Sequence, residues 1–499
     1  MEYLENMRFN PKESIICLEN VCFSYKADTK PIINNLNLNI KSGEFIVLAG
    51  QSGCGKTTIT RIINGLAMKF YEGILEGNVK ILGKDIQEYK LWEIGKFIGT
   101  VFQDPKSQFF ASITEDEIAF GCENYGINRE ELQRRVSDSI DKINGNNLIG
   151  KEIYPMSSGE KQKIAIASIN AVNPLIYVFD EPSANLDMYS VESLKILMKS
   201  LKDSGHTVIV SEHRMYYLTD LADKFIYLQD GQIKKEMTSD EFCMISDDER
   251  CSMGLRNQNL SNVKLNNLKL SLNKRETLTV KNLKFDYKGR EIFNNVSFKA
   301  YEGDIIAICG HNGIGKTTLS RILSGIKKEK SGEILYNGRR VSYRKRRNFV
   351  YFVMQNTDCS IFSDSLEEEL LLNNKKLNKV YISEILSRYN LARFKEKHPA
   401  LLSGGQKQRL SLAVSDIIDR DVLILDEPTS GLDYRNMIDI SNHLKELASK
   451  GKTILIITHD YEFALNTCNR VLHFISADEF ELFNMEEKLC EFYNCLMEK

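Results

Sequence analysis

The chain has 499 residues, of which 42% are hydrophobic and 27% charged, and its formal net charge is −2. That size suggests two to four domains, each able to bury a core. The near-neutral balance excludes a global basic field for nucleic acid, and no apolar run approaches the roughly 18–20 residues of a membrane span.

The opening stretch MEYLENMRFNPKES lacks a basic region followed by an apolar core, so no secretory leader is expected. Strand-like IICLENVCFSY begins near Ile15 and IINNLNLNI follows. The apolar run Phe45–Ala49 then leads into GQSGCGKTT, Gly50–Thr58, and a helix-like Thr58–Leu66. Further strand candidates are Gly77–Leu82 and Phe97–Phe102, and a region of mixed helical period spans about Glu115 to Asn170. Short apolar strands at Leu175–Phe179 and Thr207–Val210 flank a helix-like Val191–Lys202. Phe225–Leu228 and Gln232–Lys235, joined by Asp230-Gly231, read as a closing hairpin. Short apolar strands alternating with helices predict an α/β fold, a parallel sheet with helices on both faces.

Much of this recurs. Lys56 returns as Lys316 (offset 260) and Gln103 as Gln355 (offset 252), while Ser157, Asp180 and His213 return as Ser403, Asp426 and His459 (offset 246). The order is kept and the drift is confined to two stretches, so the chain carries two copies of one domain, too large for a solenoid repeat. The expected boundaries are 14–240 and 277–476 for the domains, 241–276 for a polar linker and 477–499 for a tail. Leu489, Phe492 and Leu496 give that tail helical spacing, suited to covering apolar surface or to binding a partner. The eleven cysteines include no C-x-x-C and read as reduced, buried or incidental cytosolic thiols.

GQSGCGKTT and its repeat GHNGIGKTT, Gly310–Thr318, fit the phosphate loop G-x-x-x-x-G-K-[ST]. Gly50, Gly53 and Gly55, like Gly310, Gly313 and Gly315, let backbone N–H groups curl around phosphate oxygens. The following helix points its positive end at the same anion. Lys56 and Lys316 add charge for the outer phosphates, and the Thr57 and Thr317 hydroxyls can hold Mg²⁺. IYVFDEP and LILDEP place acidic pairs at the ends of buried strands: Asp180 and Asp426 to bind Mg²⁺, Glu181 and Glu427 to polarise an attacking water. PMSSGEKQK and LLSGGQKQR contain capping boxes, Ser157 with Glu160 and Ser403 with Gln406, whose flanking glycines leave a helix N-terminus open to anions.

The ordered set of phosphate loop, Gln loop, S-G-G-Q stretch, D-E-P strand end, S-x-x-L-D loop and histidine resembles the ATP-binding cassette ATPases over nearly all of both halves. The resemblance implies P-loop domains with a RecA-like parallel core, an antiparallel β subdomain and a helical subdomain. It also implies ATP and Mg²⁺ as cofactors and intramolecular pairing of the halves into two composite sites. One site would combine Tyr25, Ser52, Lys56, Thr57, Thr58, Gln103, Asp180, Glu181 and His213 with Ser403, Gly404, Gly405 and Gln406. The other would combine Tyr287, Asn312, Lys316, Thr317, Thr318, Gln355, Asp426, Glu427 and His459 with Ser157, Ser158, Gly159 and Glu160. In that reading Tyr25 and Tyr287 stack on adenine, Gln103 and Gln355 join the Mg²⁺ shell, the histidines sense the γ-phosphate, and Asp187 and Asp433 lie between the halves. Ser158 stands where glycine is usual, so the second site is expected to turn over more slowly.

VFQDPKSQFFASITEDEIAFG, Val101–Gly121, and VMQNTDCSIFSDSLEEEL, Val353–Leu370, resemble the ATPases of energy-coupling factor transporters. Copy one matches that pattern at Gln103, Pro105, Gln108, Phe109, Phe110 and Glu115–Ile118; copy two is looser, with Thr357 and Ser360 in place of Pro and Gln. The resemblance implies a transmembrane coupling subunit, a substrate-capture membrane protein, a vitamin or transition-metal cargo, and a place on the cytoplasmic face of the membrane. Phe109 and Phe110 would form a groove for a partner helix. Ribosome-acting tandem cassettes and sugar-importer ATPases are the alternatives. The linker lacks a long basic helix for RNA, and neither half lacks the catalytic residues that sugar importers commonly lose from one half.

Overall fold

The computed structural model describes residues 14–26, 30–265, 275–287, 289–355, 361–373, 378–402 and 404–497. Two compact units divide the chain, the first made up of Met1–Leu186, Ser190–Asn259 and Asp433–Arg435 and the second of Asp187–Tyr189, Leu260–Leu432 and Asn436–Lys499. In the first unit a six-stranded sheet runs in the order Gln232–Thr238, Lys224–Gln229, Phe45–Gly50, Thr207–Ser211, Ile176–Asp180, Ile98–Val101. Neighbours are parallel except for the Lys224–Gln229 and Gln232–Thr238 edge pair. FIVLAG, IYVFD and TVIVS are buried at every position. That is why they read as apolar runs without alternation: helices and a second sheet cover both faces of a parallel sheet.

The second sheet is antiparallel, in the order Ile33–Lys41, Ser14–Ser24, Ile74–Ile81, Lys84–Asp85. Here alternation is plain: Ile33, Leu36, Leu38 and Ile40 are buried while Asn37 and Asn39 are exposed. The buried face joins Ile46, Leu48, Ile59 and Ile62 in one core. A separate apolar cluster, including Ile118, Cys122, Ile140 and Ile164, holds together the helices Thr114–Asn124, Arg129–Lys142 and Ser158–Val172.

The second unit repeats this order: Phe480–Asn484, Arg470–Phe474, Ile305–Cys309, Thr453–Ile457, Val422–Asp426, Val350–Val353, with a four-stranded antiparallel sheet beside it. The repeat extends into the segment expected to be a helical tail. Phe480–Asn484 is the antiparallel edge strand, and only Leu489–Met497 is helix, burying Phe492 and Leu496 with Phe492 stacked on Tyr461. Likewise the segment read as linker from 241 begins with folded structure. The helices Ser239–Cys243 and Asp247–Met253 carry side-chain caps at Thr238 and Ser246, and Phe242 stacks on Phe225 with ring centroids 3.9 Å apart.

Candidate active site

In both units the site residues converge at the carboxyl ends of the parallel strands, where open α/β sheets bind ligands. Gly55 (φ +108°) and Gly315 (φ +115°) take the left-handed backbone just before the helices Lys56–Ile63 and Lys316–Leu323. A Cβ at Gly55 would sit 2.6 Å from Ile33 Cδ1, so the turn admits only glycine. Neither helix has a side-chain N-cap, which leaves its first N–H groups for an anion. Ser52 and Gly53, like Asn312 and Gly313, form the exposed rim of each loop.

Lys56 is buried and curls back on its own loop, its ammonium donating to the carbonyls of Gly50 (2.9 Å) and Gln51 (3.2 Å). Thr57 Oγ1 donates to Asp180 Oδ1 at 2.9 Å, and Ser211 Oγ to the same oxygen at 2.7 Å. Burial holds the Asp180 carboxyl above its ordinary range, against those two hydroxyls. Its neighbour behaves oppositely. Burial would push Glu181 up as well, but His213, 3.3 Å away, and the charge of Lys56 outweigh it and hold that carboxyl low. Gln103 Nε2 donates to Glu181 Oε2 at 2.8 Å. His213 Nε2 lies 3.3 Å from both Lys56 Nζ and Glu181 Oε1. One ring nitrogen can accept from the ammonium or donate to the carboxylate, not both. Lys56, His213, Glu181 and Gln103 therefore form one polar chain whose bonding depends on what occupies Lys56. Glu181 itself sits at φ +47°, a strained setting for a carboxylate side chain and one shared by Glu427 at +49°.

The second unit keeps the plan, with a longer histidine–glutamate separation. Thr317 Oγ1 donates to Asp426 Oδ2 at 3.0 Å, and Lys316 donates to the carbonyls of Gly310 and His311. His459 Nε2 lies 3.8 Å from Glu427 Oε1. Ile457 stands where Ser211 stands, and each backbone carbonyl accepts from the glutamate N–H, so Asp426 has no hydroxyl matching Ser211. Burial pushes Asp426 up and Lys316 down.

Ser157 caps the helix Ser158–Val172, with Glu160 returning a carboxylate to the Ser157 N–H at 2.9 Å. A Cβ on Gly159 would meet Ser190 Oγ at 2.7 Å. Gly404, Gly405 and Gln406 open the matching helix Gly404–Ile417, while Ser403 lies outside the described residues, as do Thr357 and Ser360. Tyr25 is half-buried, its hydroxyl taking a hydrogen bond from Arg61 at 3.1 Å, whereas Tyr287 is 54% exposed beneath the ammonium of Lys327. Sequence reasoning missed Ser211 on Asp180 and the buried Glu212, Arg214 and Tyr217 around His213. The signal was available: at the constant offset of 246 these positions change chemistry between the copies.

A phosphate loop ending a central parallel strand, with a hydroxyl–carboxylate oxygen pair beside it, defines a P-loop nucleotide hydrolase. The ABC transporter model matches residues 33–184 and again 293–430. A Treponema denticola protein provisionally named an ABC transporter ATP-binding protein is 41% identical over 463 residues, covering 92% of this chain and 95% of its own. A Bacillus cereus protein of the same provisional name is 34% identical over 508 residues, covering 92% and 89%. A solved complex of an archaeal ribosome recycling factor with a ribosomal stalk protein aligns over 96% of this chain and 92% of its own, with TM-score 0.65 and 21% identity, a likeness of fold. The chain belongs to the ABC transporter ATP-binding proteins, as a tandem ATP-hydrolysing enzyme with two such domains.

Proposed function

We propose that this chain is the ATPase of an importer of the energy-coupling factor type, working on the cytoplasmic face of the membrane. Its partners would be a transmembrane coupling subunit and a substrate-capture membrane protein, and its cargo a vitamin or transition-metal ion. The two halves pair, and each lends the N-terminus of one helix, Ser158–Val172 or Gly404–Ile417, to the triphosphate held by the other. Thr57 with Asp180, and Thr317 with Asp426, hold Mg²⁺. The oxygen donors fit that ion, which takes one or two protein groups and completes its shell with water and phosphate. Among the described residues no cluster of three His, Cys, Asp or Glu forms a site of its own. Glu181 and Glu427 polarise water, and the histidines respond to the γ-phosphate through Lys56 and Lys316.

One matched feature carries the importer reading. Phe110 is 77% exposed and Phe362 76% exposed. In each unit a buried glutamate fixes the presenting backbone: Glu117 Oε2 accepts from the N–H groups of Phe110 and Ala111, and Glu369 Oε2 from those of Phe362 and Ser363. A buried carboxylate spent on holding an apolar side chain in solvent suits a surface built for a partner. Phe109, by contrast, is half-buried against the helical core. No helix among the described residues is long and apolar enough to cross a membrane, so translocation would need that partner. The test is affinity purification of the chain from detergent-solubilised membranes of its host. A multi-spanning membrane protein should co-purify stoichiometrically and be lost in Phe110→Ala/Phe362→Ala while ATP binding persists. Recovery of ribosomal particles instead would overturn the reading.

A further inference from the structure

The segment carrying His213 is bonded to the loop after Glu181 by a glutamate and an arginine that its second-unit counterpart replaces with a threonine and an aspartate. Glu212 is 2% exposed, yet its carboxylate accepts four hydrogen bonds. Oε1 takes the His213 and Arg214 N–H groups at 2.8 and 3.1 Å, and Oε2 takes Tyr217 OH at 2.9 Å and the Ser183 N–H at 3.3 Å. Arg214, also buried, donates to the carbonyls of Leu186 (3.1 Å) and Ser183 (3.4 Å). The loop 183–186 is thus gripped by an anion and a cation on either side of the histidine.

At the offset of 246, Ser183, Glu212, Arg214 and Tyr217 become Thr429, Thr458, Asp460 and Phe463. The same two segments are still tied, but the acid has moved to the other side of the histidine. Asp460 Oδ2 accepts from Thr429 Oγ1 at 2.9 Å, Oδ1 accepts from the Phe463 N–H at 3.1 Å, and the Asp460 N–H donates to Thr458 Oγ1 at 3.1 Å. The tyrosine hydroxyl is missing where its glutamate acceptor is missing. A single exchange between the sets strands a buried charge: aspartate at 214 would set a second carboxylate beside Glu212, and threonine at 212 would leave the Ser183 and Tyr217 donors without their acceptor.

We propose that Ser183, Glu212, Arg214 and Tyr217 act as one positioning set that holds Glu181 and His213 in register with the nucleotide, and that the second unit meets the same need with an interchangeable set. The inference rests on the proposed roles of Glu181 and His213. Small misplacement of groups near a reacting centre costs on the order of 10²-fold in rate.

The test uses the full chain and steady-state MgATP hydrolysis. Arg214→Asp should lower kcat by about 10–100-fold with KM little changed. Adding Ser183→Thr, Glu212→Thr and Tyr217→Phe should restore most of that loss, a rescue that a merely structural arginine would not show. Wild-type turnover in Arg214→Asp, or a quadruple variant that melts cooperatively yet turns over no faster than Arg214→Asp, overturns the proposal. If Arg214→Asp does not fold, the reciprocal set decides in a Glu181→Gln background, where the remaining turnover reports the second site. Asp460→Arg should lower that rate and Thr429→Ser, Thr458→Glu and Phe463→Tyr should restore it, and equal rates with and without the three added changes overturn the proposal. Glu181→Gln is measured alongside. Unchanged turnover there removes the reading of the site itself, whereas lost turnover there with wild-type Arg214→Asp removes the positioning set alone.

Discussion

Asp180 and Glu181 are adjacent in sequence and are shifted in opposite directions. The Asp180 carboxyl, raised by burial above its ordinary 3.8, costs stability at neutral pH in its charged form. That cost is relieved as pH falls through the raised value towards 3.8. Glu181, held below its ordinary 4.5 despite burial, contributes stability above 4.5 and loses it as pH falls through the lowered value. Asp180→Asn keeps an acceptor for Thr57 and Ser211 while removing the charge. Without nucleotide or Mg²⁺ at neutral pH it should raise the melting midpoint by about 2–4 °C, equivalent to about 1 kcal/mol in a domain of this size, while hydrolysis is lost. Glu181→Gln in the same scan should lower the midpoint. Calorimetry at neutral and acid pH checks both signs: the Asp180→Asn gain should shrink towards pH 4. The acidic pairs were legible from D-E-P after an apolar run. Their opposite titration was not, because it depends on which hydroxyls and imidazole the fold brings across from the next strand.

Elements were legible where periodicity or punctuation was strong. The phosphate-loop strand and helix, the buried strands and the Asp230-Gly231 hairpin all stood out as patterns of residue type. Phe480–Asn484 did not, since FELFN is short, without regular alternation, and the preceding ISADE has no glycine turn. The helices Ser239–Cys243 and Asp247–Met253 hid in polar composition, although T-S-D-E and S-D-D-E are N-terminal capping patterns. Their placement has a consequence. Phe242 is 1% exposed, and Met253 accepts hydrogen bonds through its carbonyl from Tyr227 OH (3.1 Å) and from phosphate-loop Gln51 (3.3 Å). A fragment ending at 259 should therefore melt cooperatively, while one ending at 240 should melt about 10 °C lower or fail to fold. The missing Phe242 alone is worth about 3–5 kcal/mol. Equal midpoints by circular dichroism would show that these helices belong to the connection and not to the domain.

At the scale of the whole molecule the duplication was the most legible feature, because constant offsets survive where individual residues drift. What offsets cannot convey is whether the two copies do equal work. Glu181 is bracketed at 2.8 Å by Gln103 and at 3.3 Å by His213, whereas the Glu427–His459 separation is 3.8 Å. Ser158 is exposed at the mouth of a capped helix whose first turn already carries the Glu160 carboxylate. Under the composite reading proposed above, that helix serves the phosphate held by Lys316, so a bulkier rim, an added negative charge and a looser glutamate fall on one site. Glu181→Gln should then cut steady-state hydrolysis by about tenfold, and Glu427→Gln should leave most of it, about nine tenths. Ser158→Gly should narrow the gap by quickening the slower site. Equal losses from the two glutamine variants would mean that the sites fire as one, and that the differences around Glu427 are absorbed when nucleotide binds.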